Sequence, residues 1–208
     1  MEREEVVSSD QPIRLPGVPM ELRWRLAPER WALAGEVLTI SAGARTDLFV
    51  DPSGSPAVHS APHLLGKVAG DFMLSARVTV DFGARFDAGA LLLFTDETTW
   101  AKLCFEYAPL EEPTVVSVVT RALSDDSNSY PVAGRSTWLR VARVGPAFAF
   151  HCSNDGETWK LVRHFALPAE AEIGAGFLAQ SPEGGGCSTT FDMIGYRPEL
   201  LRDLRSGE

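Results

Sequence analysis

From Leu22 onward, short apolar runs recur along the chain, cut by Gly, Pro, Asp and Ser. Val37-Leu38-Thr39-Ile40 follows a glycine and reads as a strand, and so does the run from Asp71 to Val80. Further strands are expected at 88–95, 99–107, 114–121, 137–144, 147–153, 158–165, 172–180 and 187–194. Strands at such even spacing, separated by turn residues, predict an all-β sandwich or barrel. A helical pattern shows only at Pro198-Glu-Leu-Leu-Arg-Asp-Leu-Arg, which predicts a short C-terminal helix with proline in its first turn. Residues 43–66 lack periodicity and read as a long loop, a kind of segment that is often functional. Residues 1–12, polar and charged, read as a flexible arm, and 13–208 as a single domain.

The stretch Cys152-Ser-Asn-Asp-Gly-Glu-Thr-Trp159 looks like a sialidase Asp-box with one residue missing. Phe148, Phe150 and Cys152 alternate before it, and Trp159, Leu161, Arg163 and Phe165 alternate after it. Asn-Asp-Gly between two alternating runs predicts a hairpin, because glycine accepts the positive φ of the turn. The stretch is therefore read as a structural turn.

The run Thr99-Trp-Ala-Lys-Leu-Cys-Phe-Glu-Tyr107 offers more chemistry. With a period of two, Trp100, Lys102, Cys104 and Glu106 share one face, and Ala101, Leu103 and Phe105 the other. An aromatic ring, an ammonium and a carboxyl in one row suit a sugar, which stacks on the ring and hydrogen-bonds the charged groups. The competing reading is a half-exposed sheet face with a Lys–Glu pair of little energetic value. A glycosidase would need a second carboxyl at mechanistic distance from Glu106. No Glu-x-Asp-x-x-Glu motif is present, and Glu111-Glu112 falls in an expected turn.

Other polar segments carry less. Ser124-Asp-Asp-Ser-Asn-Ser129 reads as a solvated loop, without the glycine and closing glutamate of an EF-hand. His59 and His63 lie in a Pro-rich loop, where their spacing brings them to no common helical face. Ser181-Pro-Glu-Gly-Gly-Gly-Cys187 lacks the Lys-Ser/Thr of a phosphate loop, and no nucleophile motif occurs. No catalytic residue, metal site or cofactor is assigned.

Composition narrows the classes. The 208 residues are 45% hydrophobic, enough for one sizeable core. A net charge of -9 without a basic stripe argues against nucleic acid. No apolar run reaches the length of a membrane helix, and the N-terminus lacks the basic and apolar regions of a signal peptide. Cys104, Cys152 and Cys187, odd in number and set in apolar runs, read as buried free thiols. A cytoplasmic setting is expected.

Several segments taken in order are similar to one family. They are Gly70-Asp-Phe72, Asp87-Ala-Gly-Ala-Leu-Leu92, Trp100-Ala-Lys-Leu-Cys-Phe-Glu-Tyr107, Ser117-Val-Val-Thr120, Ser124-Asp125, Trp138-Leu-Arg-Val141, Ser153-Asn-Asp-Gly156 with Trp159, and Gln180-Ser-Pro182. Across residues 22–196 the chain resembles the regulation-of-enolase family, a domain of unknown function (1349). The resemblance implies a concanavalin A-like jelly roll of two curved antiparallel sheets, whose concave face binds carbohydrate in many relatives of that fold. It assigns no catalytic residue. The chain departs from the family pattern at Asp126 and at Asp47-Leu-Phe-Val50, where relatives often carry aromatics.

The reading that follows is a module binding a carbohydrate or related small polar ligand. The expected site is Trp100, Lys102 and Glu106 on the concave face, with Asp87, Arg121 and Asp125 nearby. It expects Trp100 to stand exposed in a groove. Two alternatives stay open: a protein-interaction or regulatory module touching a metabolic enzyme, and a carbohydrate-active enzyme using Glu106.

Overall fold

The computed structural model describes residues 11–169 and 172–208. Apart from residues 11 and 12, the expected N-terminal arm lies outside the described residues. Sixteen strands are seen among them: β1 (Arg23–Leu26), β2 (Arg30–Ala34), β3 (Val37–Gly43), β4 (Leu48–Phe49), β5 (Val58–His59), β6 (His63–Ala69), β7 (Phe72–Val80) and β8 (Ala88–Asp96), then β9 (Thr99–Tyr107), β10 (Pro113–Arg121), β11 (Leu123–Pro131), β12 (Ser136–Val144), β13 (Ala147–Ser153), β14 (Lys160–Ala166), β15 (Glu172–Gln180) and β16 (Gly186–Arg197). Two seven-stranded antiparallel sheets form a β-sandwich. One has the order β1-β6-β15-β8-β9-β10-β11, the other β14-β13-β12-β7-β16-β3-β2. The small hairpin β4-β5 stands apart from both.

Period-two alternation decides which side of each strand builds the core. Ala101, Leu103 and Phe105 of β9 meet Leu91 and Leu93 of β8 and Leu139 and Val141 of β12 in the cluster between the sheets. Trp100 and Cys104 of the same strand join a second cluster on the outer side of the first sheet, with Ala88, Ala90, Leu92, Phe94 and Leu178. Both faces of β8 and β9 are thus buried, which explains their nearly continuous apolar composition.

The close approach of β15 to β6 within the first sheet depends on glycine. A Cβ at Gly176 of β15 would fall 2.0 Å from the Leu64 carbonyl oxygen, a main-chain atom that cannot swing aside. Gly176→Ala is expected to force β15 and β6 apart, costing about 1–3 kcal/mol. Denaturant titration of the variant would read this as a lower midpoint.

Three expectations are corrected. Residues 43–66 are not one loop: they hold the hairpin β4-β5, which includes His59, and from His63 the start of β6. No helix forms at Pro198–Arg205. Instead the Asp203 carboxylate accepts the N–H groups of Arg205 and Ser206, the Glu208 N–H donates to Asp203 O, and Leu201 packs against Met73 and Ala142. So short a segment is a marginal helix on its own, and this one gains more by seating an apolar side chain on the sheet. Ser124–Ser129 is no loop but most of β11, the edge strand of the first sheet, in register with β10.

The turn at 153–158 joins β13 to β14 as expected. Ser153 Oγ accepts the N–H of Asp155 and Gly156, and Asp155 Oδ1 accepts those of Glu157 and Thr158. These donated bonds hold the Asp155 carboxyl far below the usual carboxylate range. Gly156 has φ +79°, and its Cα lies against the Trp138 ring. The stretch closes on itself.

Candidate functional site on the outer face of the first sheet

The register of the first sheet lays its outer face out in rows. Gln180, Ala88, Glu106 and Thr114 form one, and Leu92, Lys102, Val118 and Asp126 another. Trp100 occupies a third row, between Phe94 and Thr120. β9 therefore does place Trp100, Lys102 and Glu106 on one face, as the period of two predicts.

Their exposure differs from the expectation. Trp100 is 0% exposed, Lys102 2% and Glu106 8%. The cause is residues 46–62, which cross this face as a roof. Thr46 exchanges main-chain hydrogen bonds with Ser181 beyond β15 (3.1 and 3.2 Å). At the opposite edge, the Val50 N–H donates to Ser124 Oγ and the Ser124 N–H donates to Val50 O, both at 2.9 Å. Between these anchors Leu48 and Ala61 are buried in the cluster with Trp100. The long loop covers the groove, and Trp100 is a core side chain whose Nε1 has no hydrogen-bond partner.

Beneath the roof lies a polar group. Lys102 Nζ donates to Gln180 Oε1 at 2.6 Å and to Asp47 Oδ1 at 3.3 Å. The alanines at 88 and 90 leave room for the lysine side chain to reach that far along the sheet. Burial disfavours the ammonium, but nearby negative charge, Asp47 first, outweighs it and holds its pKa above the ordinary value. Glu106 accepts no such bond. Burial pushes its carboxyl up to about 8; Lys102 works against this shift, and the carboxylates of Asp47 and Asp126 add to it. Near neutrality Glu106 thus carries its proton and offers both a donor and an acceptor. Burial also pushes the Cys104 thiol up to about 12, so it stays protonated.

The other three expected site residues lie elsewhere. Asp87 is fully buried and clamps a turn: Oδ2 accepts the N–H groups of Gly83 and Ala84, and Oδ1 accepts the Ser181 hydroxyl at 2.6 Å. Arg121 donates to Ala166 O of β14, and Asp125 pairs with Arg163 of β14 at 2.9 Å. Both therefore tie the edge of the first sheet to the second and stand away from the Lys102 row.

Asp47 and Gln180 belong to the polar group yet were not singled out from the sequence. Gln180 could have been: it continues the alternation from Leu178 onto the outer face, a polar end to an apolar run. Asp47 reaches Lys102 only through the roof, which no local pattern announces. Among the described residues, no group of three or more His, Cys, Asp or Glu side chains is placed to hold a metal ion.

Comparison with known proteins agrees with this architecture. A functionally unknown protein from Saccharomyces cerevisiae superposes with a TM-score of 0.81 at 24% identity, over 86% of this chain and 97% of that one. The xylan beta-1,4-xylosidase from Bacillus halodurans C-125 gives 0.67 at 13% identity, over 95% of this chain but 40% of the enzyme. The carbohydrate binding module CBM66 from Bacillus subtilis gives 0.56 at 13% identity, over 84% of this chain and 94% of the module. No curated protein sequence matches the chain. At these identities the structural likeness speaks for the jelly-roll fold alone. A family model matches residues 24–199, and the chain belongs to that family, the proteins of unknown function DUF1349.

Proposed function

We propose that the chain is a binding module for a carbohydrate or a related small polar ligand, held at the Glu106 end of the outer face. The observation that carries this reading is the Glu106 carboxyl, 8% exposed and without a protein hydrogen-bond partner, whose oxygens keep contact with solvent while most of the side chain is buried. A carboxyl that reaches solvent at the edge of a covered face has hydrogen-bonding capacity that no protein group uses, and a ligand hydroxyl can take the place of water there. Lys102 and Gln180 lie beside it, and Asp126 and Asn128 present exposed polar groups along β11. Such a set suits a polyol through hydrogen bonding, with no part for ring stacking on Trp100. That one structural neighbour is a carbohydrate binding module, and another a xylosidase, supports the same ligand class.

The test is a thermal-shift screen of mono- and oligosaccharides, with and without calcium, on wild type and Asp126→Ala. Asp126 is exposed, so its loss leaves the fold intact. A ligand at a hundred times its Kd should raise the wild-type midpoint by roughly 5–10 °C, and the variant's by much less. A panel that shifts neither protein would sink the reading.

A second reading rests on the roof. Because residues 46–62 already cover the face, the module could act through protein contacts, with a metabolic enzyme as the partner. A blank sugar screen would make affinity capture of protein partners the next step. A hydrolytic role for Glu106 is less well supported, because Asp47 is already committed to Lys102 and to the Leu48 N–H.

A further inference from the structure

The outer face of the second sheet holds an arginine with no counter-ion in contact. Leu139 and Val141 of β12 point into the core, so Arg140 between them points outward, in register with Ser75 of β7 and His151 of β13. The chain's last residues fold over it, and Arg140 is left 2% exposed. Its guanidinium lies 4.1 Å above the Trp159 ring, and Nη2 donates to Gly207 O at 2.5 Å. Nε is buried and has no hydrogen-bond partner. Burial first, and then the nearby cation Arg197, bring the Arg140 pKa down to about 10. Buried charges are ordinarily paired, since an uncompensated one is costly.

Arg140 and Arg197 line one cleft of about 780 Å³, with Ser75 and Trp159 on its wall. Arg197 reaches Glu199 at 3.3 Å, an exposed pair of small energetic value, so its fork can be recruited cheaply. Stacking on Trp159 fixes the plane of the Arg140 guanidinium, the condition for two-pronged recognition of an oxyanion.

We propose that this cleft binds the carboxylate or phosphate group of a small molecule, which becomes the counter-ion of Arg140 and is gripped by Arg197. Glu157, Glu199, Asp203 and Glu208 also line the cleft, against one further cation, Arg202, and on balance repel additional negative charge. The ligand therefore carries one anionic group, and its remainder is rich in hydrogen-bond donors. The site lies on the opposite side of the sandwich from Glu106 and stands or falls independently of it.

The test is calorimetric titration of the full chain with inorganic phosphate and, separately, with acetate, at an ionic strength held constant with chloride. At least one anion is expected to saturate a single site, and the one that does so identifies the group recognised. Arg197→Gln should weaken that binding about tenfold, the equivalent of one lost charge-assisted hydrogen bond. Arg23→Gln, an exposed change on the other sheet, should leave it unaltered. Replacing buried Arg140 risks the fold, so exposed Arg197 serves as the deciding position. Failure of both anions to saturate, or equal affinity in wild type and Arg197→Gln, overturns the proposal.

Discussion

Glu106→Gln is expected to make the protein more resistant to unfolding above pH 7 while changing little at pH 5. The carboxyl titrates near 8 in the folded chain, against an ordinary value of 4.5, because burial disfavours its charged form. Between these two values the folded state holds a proton that the unfolded state has released. Stability therefore falls as pH rises through 4.5–8, in total by roughly 4–5 kcal/mol. Glutamine mimics the protonated acid and cannot ionise, so it escapes the loss. His151 works the other way. Burial brings its pKa down to about 4, so its contribution is present above 6.5 and is lost as pH falls toward 4. Buried His63, also lowered, acts in the same sense. The opposing slopes largely cancel between 4.5 and 6.5, and only Glu106 is left from 6.5 to 8. Wild type should thus show a plateau followed by a decline, whereas the variant rises to pH 6.5 and then stays level. Urea titrations at pH 5, 6.5 and 8.5 would separate the two profiles. Parallel profiles would show that Glu106 is hydrated and charged in the folded state.

The contrast between legible and hidden features follows from the range of the interactions. The strands at 72–80, 99–107 and 147–153 announce themselves because each side chain's face is set by its own position along the strand. The same rule placed Trp100, Lys102 and Glu106 together. β11 escaped notice because an exposed edge strand needs no apolar side chains. Ser124, Asp126 and Asn128 are held by main-chain pairing with β10, which favours no residue type strongly. The roof was hidden for a related reason. Leu48 and Ala61 give no period, and their burial depends on Ser181 and Ser124, far away in sequence. Exposure of a row is a property of what lies over it, so the faces could be read from β9 alone but their accessibility could not.

The roof changes what a mutation at Trp100 should report. On an open platform, Trp100→Ala would abolish ligand binding and leave the fold intact. Here the ring fills space among Phe94, Leu48 and the alanines of β8, with no exposed surface. Truncation removes its buried apolar area and leaves a cavity that the two anchored edges of the roof prevent from closing. The expected cost is about 3–5 kcal/mol. For a domain of this size that is a fall in melting temperature of roughly 10 °C or more. The unpartnered Nε1 moderates the loss, since deleting the indole also removes a buried donor without an acceptor. Phenylalanine, which keeps one aromatic ring in the space and discards the N–H, leaves a smaller cavity and should therefore retain much more stability than alanine. Scanning calorimetry on wild type, Trp100→Phe and Trp100→Ala would show this ordering. Equal stability of wild type and Trp100→Ala would mean that the roof stands open in solution, and the indole would then return as a candidate stacking surface for a sugar ring.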